Sequence, residues 1–253
     1  MKRLQDNVTI ITGAGKGIGF GMAQAFAREG SNLVITGRNE ARLIEAKKKL
    51  EETYGVKVLA LVADGADEDK IKEVIAKTVE TFGKINTLIN NAQASKSGLS
   101  LIEHTKEDFD LAINSGLYAT FFYMREAFPY LKESKGSVIN FASGAGMYGK
   151  PGQSSYGAAK EGIRGLSRVA ATEWAKDGIN TNVVCPLAWT AQLEQFQKAF
   201  PDAFAKNVHT PPMGYFGRPE EDIGRACVQL AHPDFKYMTG ETLTLEGGLG
   251  LRP

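Results

Sequence analysis

The feature that most restricts what this chain can fold into is the alternation of two apolar periods along nearly all of it. Short runs rich in Val, Ile, Leu and Thr recur at 8–12, 32–36, 56–62, 85–89, 137–141, 180–185 and 242–245. Between them, at 18–29, 40–53, 68–82, 106–132, 154–177 and 219–231, apolar residues return at helical spacing. Continuous β-branched runs suit strands buried on both faces, and the interposed helices supply the crossovers that parallel strands require. The expected fold is therefore α/β: one doubly wound, Rossmann-type domain over 1–253, with a parallel seven-stranded sheet and helices on both faces. End signals agree. Gly30, Gly55, Gly83 and Gly178 stand where helices should stop, Asn39, Asp67 and Thr105 where they should start, and Thr105 with Asp108 has capping-box spacing.

Charge and cysteine usage exclude several classes of function. Thirty Lys and Arg against 29 Asp and Glu leave a net charge of +1, so no nucleic-acid partner and no membrane partner is expected, and any anion must be held by a local site. Cys185 and Cys227 cannot build a disulfide framework, which suits a reducing cytoplasm. The apolar run from Val8 to Ile11 is far shorter than a signal core or a span of ~20 residues. His104, His209 and His232 are scattered and no Cys-x-x-Cys exists, so no metal is expected. One stretch departs from the alternation. Residues 186–218 carry several prolines with Trp189, Phe196, Phe200, Phe204, Met213, Tyr215 and Phe216, too long for a plain connection, and they read as a lid over a site or as outer-layer packing.

The first apolar run leads directly into Thr12-Gly13-Ala14-Gly15-Lys16-Gly17-Ile18-Gly19 and then a helical pattern. Glycines there let backbone approach a pyrophosphate, and the following helix offers free N–H groups and a positive dipole end. The G-x-G-x-x-G spacing is absent, so the argument rests on placement after the first strand of a βαβ series. After the second strand, where an acid would bind the adenosine ribose, stand Gly37 and Arg38. A guanidinium there, with Lys16 in the glycine turn, favours a 2′-phosphate, so the expected cofactor is NADP(H).

Tyr156 and Lys160, four apart at the start of a helical pattern, project from one face. Holding a phenol of pKa ~10 as phenolate at neutral pH takes ~4 kcal/mol, which a nearby cation supplies. Ser143 follows the fifth strand at the carboxyl edge, where ligands bind in such sheets.

Thr12-Gly13-x-x-x-Gly17-Ile18-Gly19, Asn90-Asn91-Ala92, Ser143 and Tyr156-Gly157-Ala158-Ala159-Lys160, in that order, resemble the short-chain dehydrogenase/reductase family over nearly the whole chain. The resemblance implies that Tyr156 is the general acid/base, that Ser143 holds the substrate oxygen, and that Lys160 binds the nicotinamide ribose and tunes the tyrosine. It also implies that Asn114 holds a water of the proton relay, that Asp64 faces the adenine and that Asn91 lines the cofactor cleft. Three positions depart from the family pattern: Gln93 and Leu187 replace glycines, and Thr190 lies one position before the threonine that meets the nicotinamide carboxamide. More narrowly, the segments 90–95, 115–121, 139–146 and 186–194 are similar to those of the bacterial NADP-dependent 12α-hydroxysteroid dehydrogenases.

What this implies is hydride transfer between NADP(H) and a secondary alcohol or ketone, an apolar small molecule, the foremost candidate being the 12α-hydroxyl or 12-oxo group of a bile acid. Gln93, Ser143, Leu187, Trp189, Phe196, Phe200, Met213, Tyr215 and Phe216 would then line the substrate site. A 3-oxoacyl or general carbonyl reductase stays open as the alternative. An idle cofactor-sensing protein on the same fold is a further alternative, against which the intact Ser143, Tyr156, Lys160 and Asn114 argue. The family resemblance also implies a homotetramer, with apolar faces of helices 106–132 and 154–177 at a two-fold interface and the tail 249–253 reaching a neighbour.

Overall fold

The seven apolar runs form seven strands: β1 (Val8–Thr12), β2 (Asn32–Gly37), β3 (Val58–Val62), β4 (Thr87–Asn90), β5 (Ser137–Phe141), β6 (Asn180–Pro186) and β7 (Thr242–Leu245). All neighbours pair in parallel, in the order β3-β2-β1-β4-β5-β6-β7. This computed structural model describes residues 2–250, so of the tail expected to meet a neighbour, Leu251, Arg252 and Pro253 lie outside the described residues. Strand order reverses at β1, whose Ile10 pairs with Val34 of β2 on one side and Leu88 of β4 on the other. Such a reversal opens a crevice at the carboxyl ends of the strands.

The helices are α1 (Gly17–Arg28), α2 (Glu40–Tyr54), α3 (Glu68–Phe82), α4 (Lys106–Ala112), α5 (Ala119–Ser134), α6 (Gly144–Met147), α7 (Ser154–Trp174), α8 (Ala191–Ala199), α9 (Pro201–Asn207) and α10 (Arg225–Ala231). Their ends follow the sequence signals. Asn39 accepts from Arg42 N–H at 2.9 Å and Asp67 from Lys70 N–H at 3.1 Å, while Thr105 and Asp108 bond each other's backbone N–H. Gly55, Gly83 and Gly178 close their helices in the left-handed conformation.

One face of the sheet buries Met22, Phe26, Leu43 and Leu50 of α1 and α2 with Val228 of α10, and the other buries Ile71, Val74, Tyr123, Met124 and Leu131 of α3 and α5 with Ala170 of α7. Where one helix was expected over 106–132, α4 and α5 are joined by a π-helical turn, Ile113–Tyr118. A second π turn, Pro219–Gly224, precedes α10 and lies on α1. It comes so close that a Cβ on Gly224 would stand 2.8 Å from Ala25 Cβ. The apolar stripe passes through both turns, so periodicity alone does not reveal them. Among the described residues no helix is long and apolar enough to cross a membrane.

Candidate active site

The glycine turn is tied to the end of β4 through Thr12. Its Oγ1 accepts from Asn91 N–H and Ala92 N–H, each at 3.0 Å, and its carbonyl accepts from Asn91 Nδ2 at 2.9 Å. Gly13 and Gly17 have φ of 69° and 58°, the region that glycine enters without a Cβ penalty. Gly19 has no room for a side chain, because a Cβ would enter the Gly13 carbonyl and stand 2.8 Å from Asn91 Nδ2. Lys16 precedes α1 without a side-chain cap, so the first-turn N–H groups remain available to an anion.

At the end of β2, Gly37 is followed by exposed Arg38, and neither Arg38 nor Lys16 makes an ion pair among the described residues. A third cation joins them that the sequence reading missed. Arg42, in the first turn of α2, places its Cβ 3.5 Å from where Gly15 would carry one, and it too has no carboxylate partner among the described residues. The signal was present in the Asn39 cap, which fixes where α2 begins and so which residue of its first turn faces the glycines. Asp64, beyond β3, is exposed and accepts from Ala66 N–H at 3.0 Å. The neighbouring Ala63 N–H donates to Gly37 O at 3.0 Å and holds this loop beside β2.

Across the crevice, α7 carries Tyr156 and Lys160. The Tyr156 hydroxyl is hydrogen-bonded to the Ser143 side chain. Ser143 Oγ also accepts from Ala145 N–H at 3.1 Å. Lys160 is only 4% exposed; its Nζ donates to Phe141 O at 2.7 Å and stands 5.6 Å from the centroid of the Tyr156 ring. Burial pulls the Lys160 ammonium down to about 8. Burial also raises Tyr156, and the bond from Ser143 opposes that rise. The phenol is therefore held protonated until more positive charge arrives, and it is placed to give its proton to an oxygen beside Ser143.

Three further polar residues, to which the sequence assigned no such role, hold α7 to the sheet. Asn90 Nδ2 donates to Asn140 Oδ1 and Asn140 Nδ2 donates to Ser167 Oγ, both at 2.8 Å and both buried, so β4, β5 and α7 share one polar chain. Polar residues inside otherwise apolar strands were the only sign of it.

The remaining expected residues are scattered about this centre. Thr190 caps α8, accepting from Leu193 N–H at 3.3 Å, with its methyl 3.9 Å from the place of a Gly17 Cβ, so it stands over the glycine turn. Leu187 donates to Leu245 O and accepts from Gly217 N–H, and with the bridge Ala188↔Gly217 it closes the base of 186–218. Neither α8 nor α9 buries a residue. Above the base, Trp189 meets Phe216 at 5.4 Å and Phe204 at 6.2 Å, and Phe196 meets Phe204 at 6.1 Å and Phe200 at 5.9 Å, between ring centroids. Met213 and Tyr215 are not part of that cluster: Met213 N–H bonds Gly247 O at 3.0 Å, and Tyr215 lies under the Arg218 guanidinium. Gln93 lies over Gly116 of the first π turn, and Asn114 lies two residues before that glycine. No cluster of His, Cys, Asp or Glu suited to a metal occurs among the described residues.

A family model described as enoyl-(acyl carrier protein) reductase matches residues 13–250. The chain is 65% identical over 252 residues to a 12α-hydroxysteroid dehydrogenase of Clostridium sp., covering 97% of each protein. It is 34% identical to a 3-oxoacyl-(acyl-carrier-protein) reductase of Thermotoga maritima, covering 98% of this chain and 99% of the relative. Among solved structures, L-sorbose reductase from Gluconobacter frateurii, complexed with NADPH and L-sorbose, superposes with a TM-score of 0.93 at 26% identity over the full length of both chains. Levodione reductase superposes with a TM-score of 0.91 at 29% identity, covering 98% of this chain and 99% of that one. With its glycine turn after β1 and its Ser143, Tyr156 and Lys160 gathered at one sheet edge, the chain belongs to the short-chain dehydrogenase/reductase family of oxidoreductases.

Proposed function

We propose that this enzyme moves a hydride between NADP(H) and carbon 12 of a bile-acid steroid, interconverting a 12α-hydroxyl and a 12-oxo group. The observation that carries the substrate is the 65% identity to a 12α-hydroxysteroid dehydrogenase, which spans 97% of both chains and so takes in the lid as well as the catalytic centre. The site's own features support the cofactor: a glycine cradle in which Gly19 leaves no space for a Cβ, three cations (Lys16, Arg38 and Arg42) without a carboxylate partner among the described residues, and Gly37 where an acid would repel a 2′-phosphate.

The bound nicotinamide supplies the hydride acceptor in one direction and the donor in the other. Gly13, Gly15, Gly17, Ile18 and Gly19 would hold the pyrophosphate, Lys16, Arg38 and Arg42 the 2′-phosphate, Asp64 the adenine, and Asn91 and Thr190 the cleft walls. Ser143 positions the substrate oxygen. In oxidation Tyr156, as phenolate, takes the hydroxyl proton, and in reduction it gives that proton back. The Lys160 cation favours the phenolate and reaches the ribose, and the family resemblance assigns the water beyond it to Asn114. Residues 186–218 act as a lid within the single domain, and the half-buried rings of Trp189, Phe196, Phe204 and Phe216 offer a fused-ring steroid a broad apolar face.

A second reading, a 3-oxoacyl or general carbonyl reductase, has the 34% relative behind it. A panel of bile acids carrying 3-, 7- or 12-hydroxyls, offered with NADP, separates the two. Oxidation confined to the 12α-hydroxyl is expected; faster turnover at the other positions, or of a 3-oxoacyl thioester with NADPH, would overturn the steroid assignment. Exposed Leu111, Tyr118, Phe121 and Val169 on α4, the π turn, α5 and α7 support a homotetramer. The free, buried Cys185 and Cys227 suit a reducing cytoplasm.

A further inference from the structure

At the strand edge that carries Ser143 the protein buries a carboxylate with no cation to match it. Glu246, directly after β7, is 8% exposed. Among the described residues no cation pairs with it. Arg164 and Lys160, which act on the same Cys185 thiol as Glu246 does, are engaged elsewhere: Arg164 with Glu161 at 2.5 Å and Lys160 with Phe141 O at 2.7 Å. A carboxylate taken out of water is costly unless something specific holds it. Burial raises this carboxyl, and the Gly144 N–H, which donates to it, opposes that rise.

Strand register brings these distant residues together. Phe141 of β5 lies opposite Val184 of β6, and Pro186 of β6 opposite Leu245 of β7, so Gly144 and Glu246 are both level with Leu187. Two strand spacings, ~10 Å, separate β5 from β7, and the glutamate side chain closes that gap over the end of β6. Glycine is required at its far end, because a Cβ on Gly144 would enter Glu246 Oε1 and stand 3.1 Å from its Cδ. The backbone that aims the side chain is held on both sides: Glu246 O accepts from Leu249 N–H at 3.2 Å, and Gly247 O accepts from Met213 N–H of the lid at 3.0 Å.

The bond completes the turn that carries Ser143. Gly144 is buried and opens α6, so its N–H has no acceptor within that helix. The next two N–H groups are held by Ser143 itself, Ala145 by its Oγ at 3.1 Å and Gly146 by its carbonyl at 3.2 Å. We propose that Glu246 is a positioning residue for Ser143: by taking the Gly144 N–H from across β6, it fixes the turn that aims the Ser143 hydroxyl at Tyr156 and the substrate oxygen. This rests on the reading of the site as a dehydrogenase centre in which Ser143 holds that oxygen. Without the acceptor, the buried Gly144 N–H turns toward another partner and carries Ser143 with it, and a displacement of ~1 Å near the reacting atoms can cost ~10²-fold in rate.

The test uses the intact enzyme with NADPH and whichever ketone the wild type reduces. Glu246→Met keeps the length of the side chain and removes the acceptor. Its kcat should fall ~10- to 100-fold, while NADPH affinity by fluorescence titration stays within about threefold. Glu246→Gln, which keeps an acceptor oxygen, should recover at least about fivefold over Glu246→Met. Ser143→Ala should lose ~10²- to 10³-fold by itself. Adding Glu246→Met to it should cost less than about threefold more, because the hydroxyl that Glu246 aims is already gone, whereas general damage to the fold would multiply with it. Should Glu246→Met fail to fold, Glu246→Asp, still anionic but a methylene shorter, is carried through the same cycle with the same expectations. A variant without the acceptor that stays within about threefold of wild type, a Glu246→Gln enzyme no better than Glu246→Met, or equal losses with and without the Ser143 hydroxyl would each overturn the proposal. Ser143→Ala within about threefold of wild type would overturn the role of Ser143 and this proposal with it. A wild type that ignores 12-oxo bile acids but reduces another ketone sinks the steroid reading alone and leaves these ratios readable.

Discussion

In the proposed cofactor site three exposed cations and one missing acid set the preference, and each can be changed at the surface. Each charge-assisted contact to a 2′-phosphate is worth ~1.5–3 kcal/mol, or roughly 10- to 150-fold in affinity. Arg38→Leu should therefore weaken NADP and leave NAD nearly untouched, and kcat/KM for the two cofactors reads the difference. Gly37 has room for a side chain, since a Cβ there meets only Leu43 at 3.6 Å or more. Gly37→Asp with Arg38→Leu should therefore reverse the preference; equal losses of both cofactors would place the phosphate elsewhere. Tyr156→Phe should keep cofactor binding while turnover drops ~10²- to 10⁴-fold, and a variant retaining a tenth of the rate would remove Tyr156 from the mechanism. Lys160 gives a pH signature. Its ammonium is pulled from 10.5 to about 8, so it is cationic below about pH 8 and neutral above. Oxidation in the free enzyme should decline as pH rises through 8, because support for the phenolate is lost. Between pH 8 and 10.5 the unfolded chain holds more protons on this lysine than the folded one, so folding stability should rise across that window. Denaturant titrations should show that rise reduced in Lys160→Met.

At the scale of elements, the site depends on strands and helices held in fixed offset. The chain from Asn90 through Asn140 to Ser167 sets α7 against β4 and β5, and so sets where Tyr156 and Lys160 meet Ser143. A comparable device works at the opposite edge of the sheet. Lys236 Nζ reaches Gly136 O at 2.8 Å, Ser137 Oγ at 3.0 Å and Asn180 Oδ1 at 3.2 Å, tying the amino ends of β5 and β6. Lys236→Met removes that donor from Ser137 Oγ and Asn180 Oδ1 and leaves Gly136 O only the Asn180 N–H, and it should cost ~2–4 kcal/mol in urea unfolding while kcat/KM of the folded fraction holds. A loss below ~0.5 kcal/mol would show that water replaces the ammonium freely. Helix ends were legible from Asn39, Asp67, Thr105 and the closing glycines because caps are local. The π turns at Ile113–Tyr118 and Pro219–Gly224 were not, because the apolar stripe runs through both and what they pack on, Gln93 in one case and α1 in the other, comes from distant parts of the chain.

For the whole molecule, the exposed apolar residues of α4, α5 and α7 lead to an expected particle of about four times the 27.4 kDa subunit by light scattering, and a lone subunit at micromolar concentration would contradict it. The sequence by itself determined the succession of seven strands and their helices along the chain, the parallel sheet, the glycine turn and the Tyr156–Lys160 pair. Burial on both faces is written as unbroken apolar runs, and four residues along a helix always share a face. Only the tertiary structure decided which distant residues meet: Arg42 against Gly15, Asn140 between Asn90 and Ser167, and the Gln93 carboxamide over Gly116. It also decided that Trp189, Phe196, Phe204 and Phe216 gather while Met213 and Tyr215 turn aside. These contacts depend on strand order, register and helix offset, which arise from packing the whole core and have no counterpart in any local stretch of sequence.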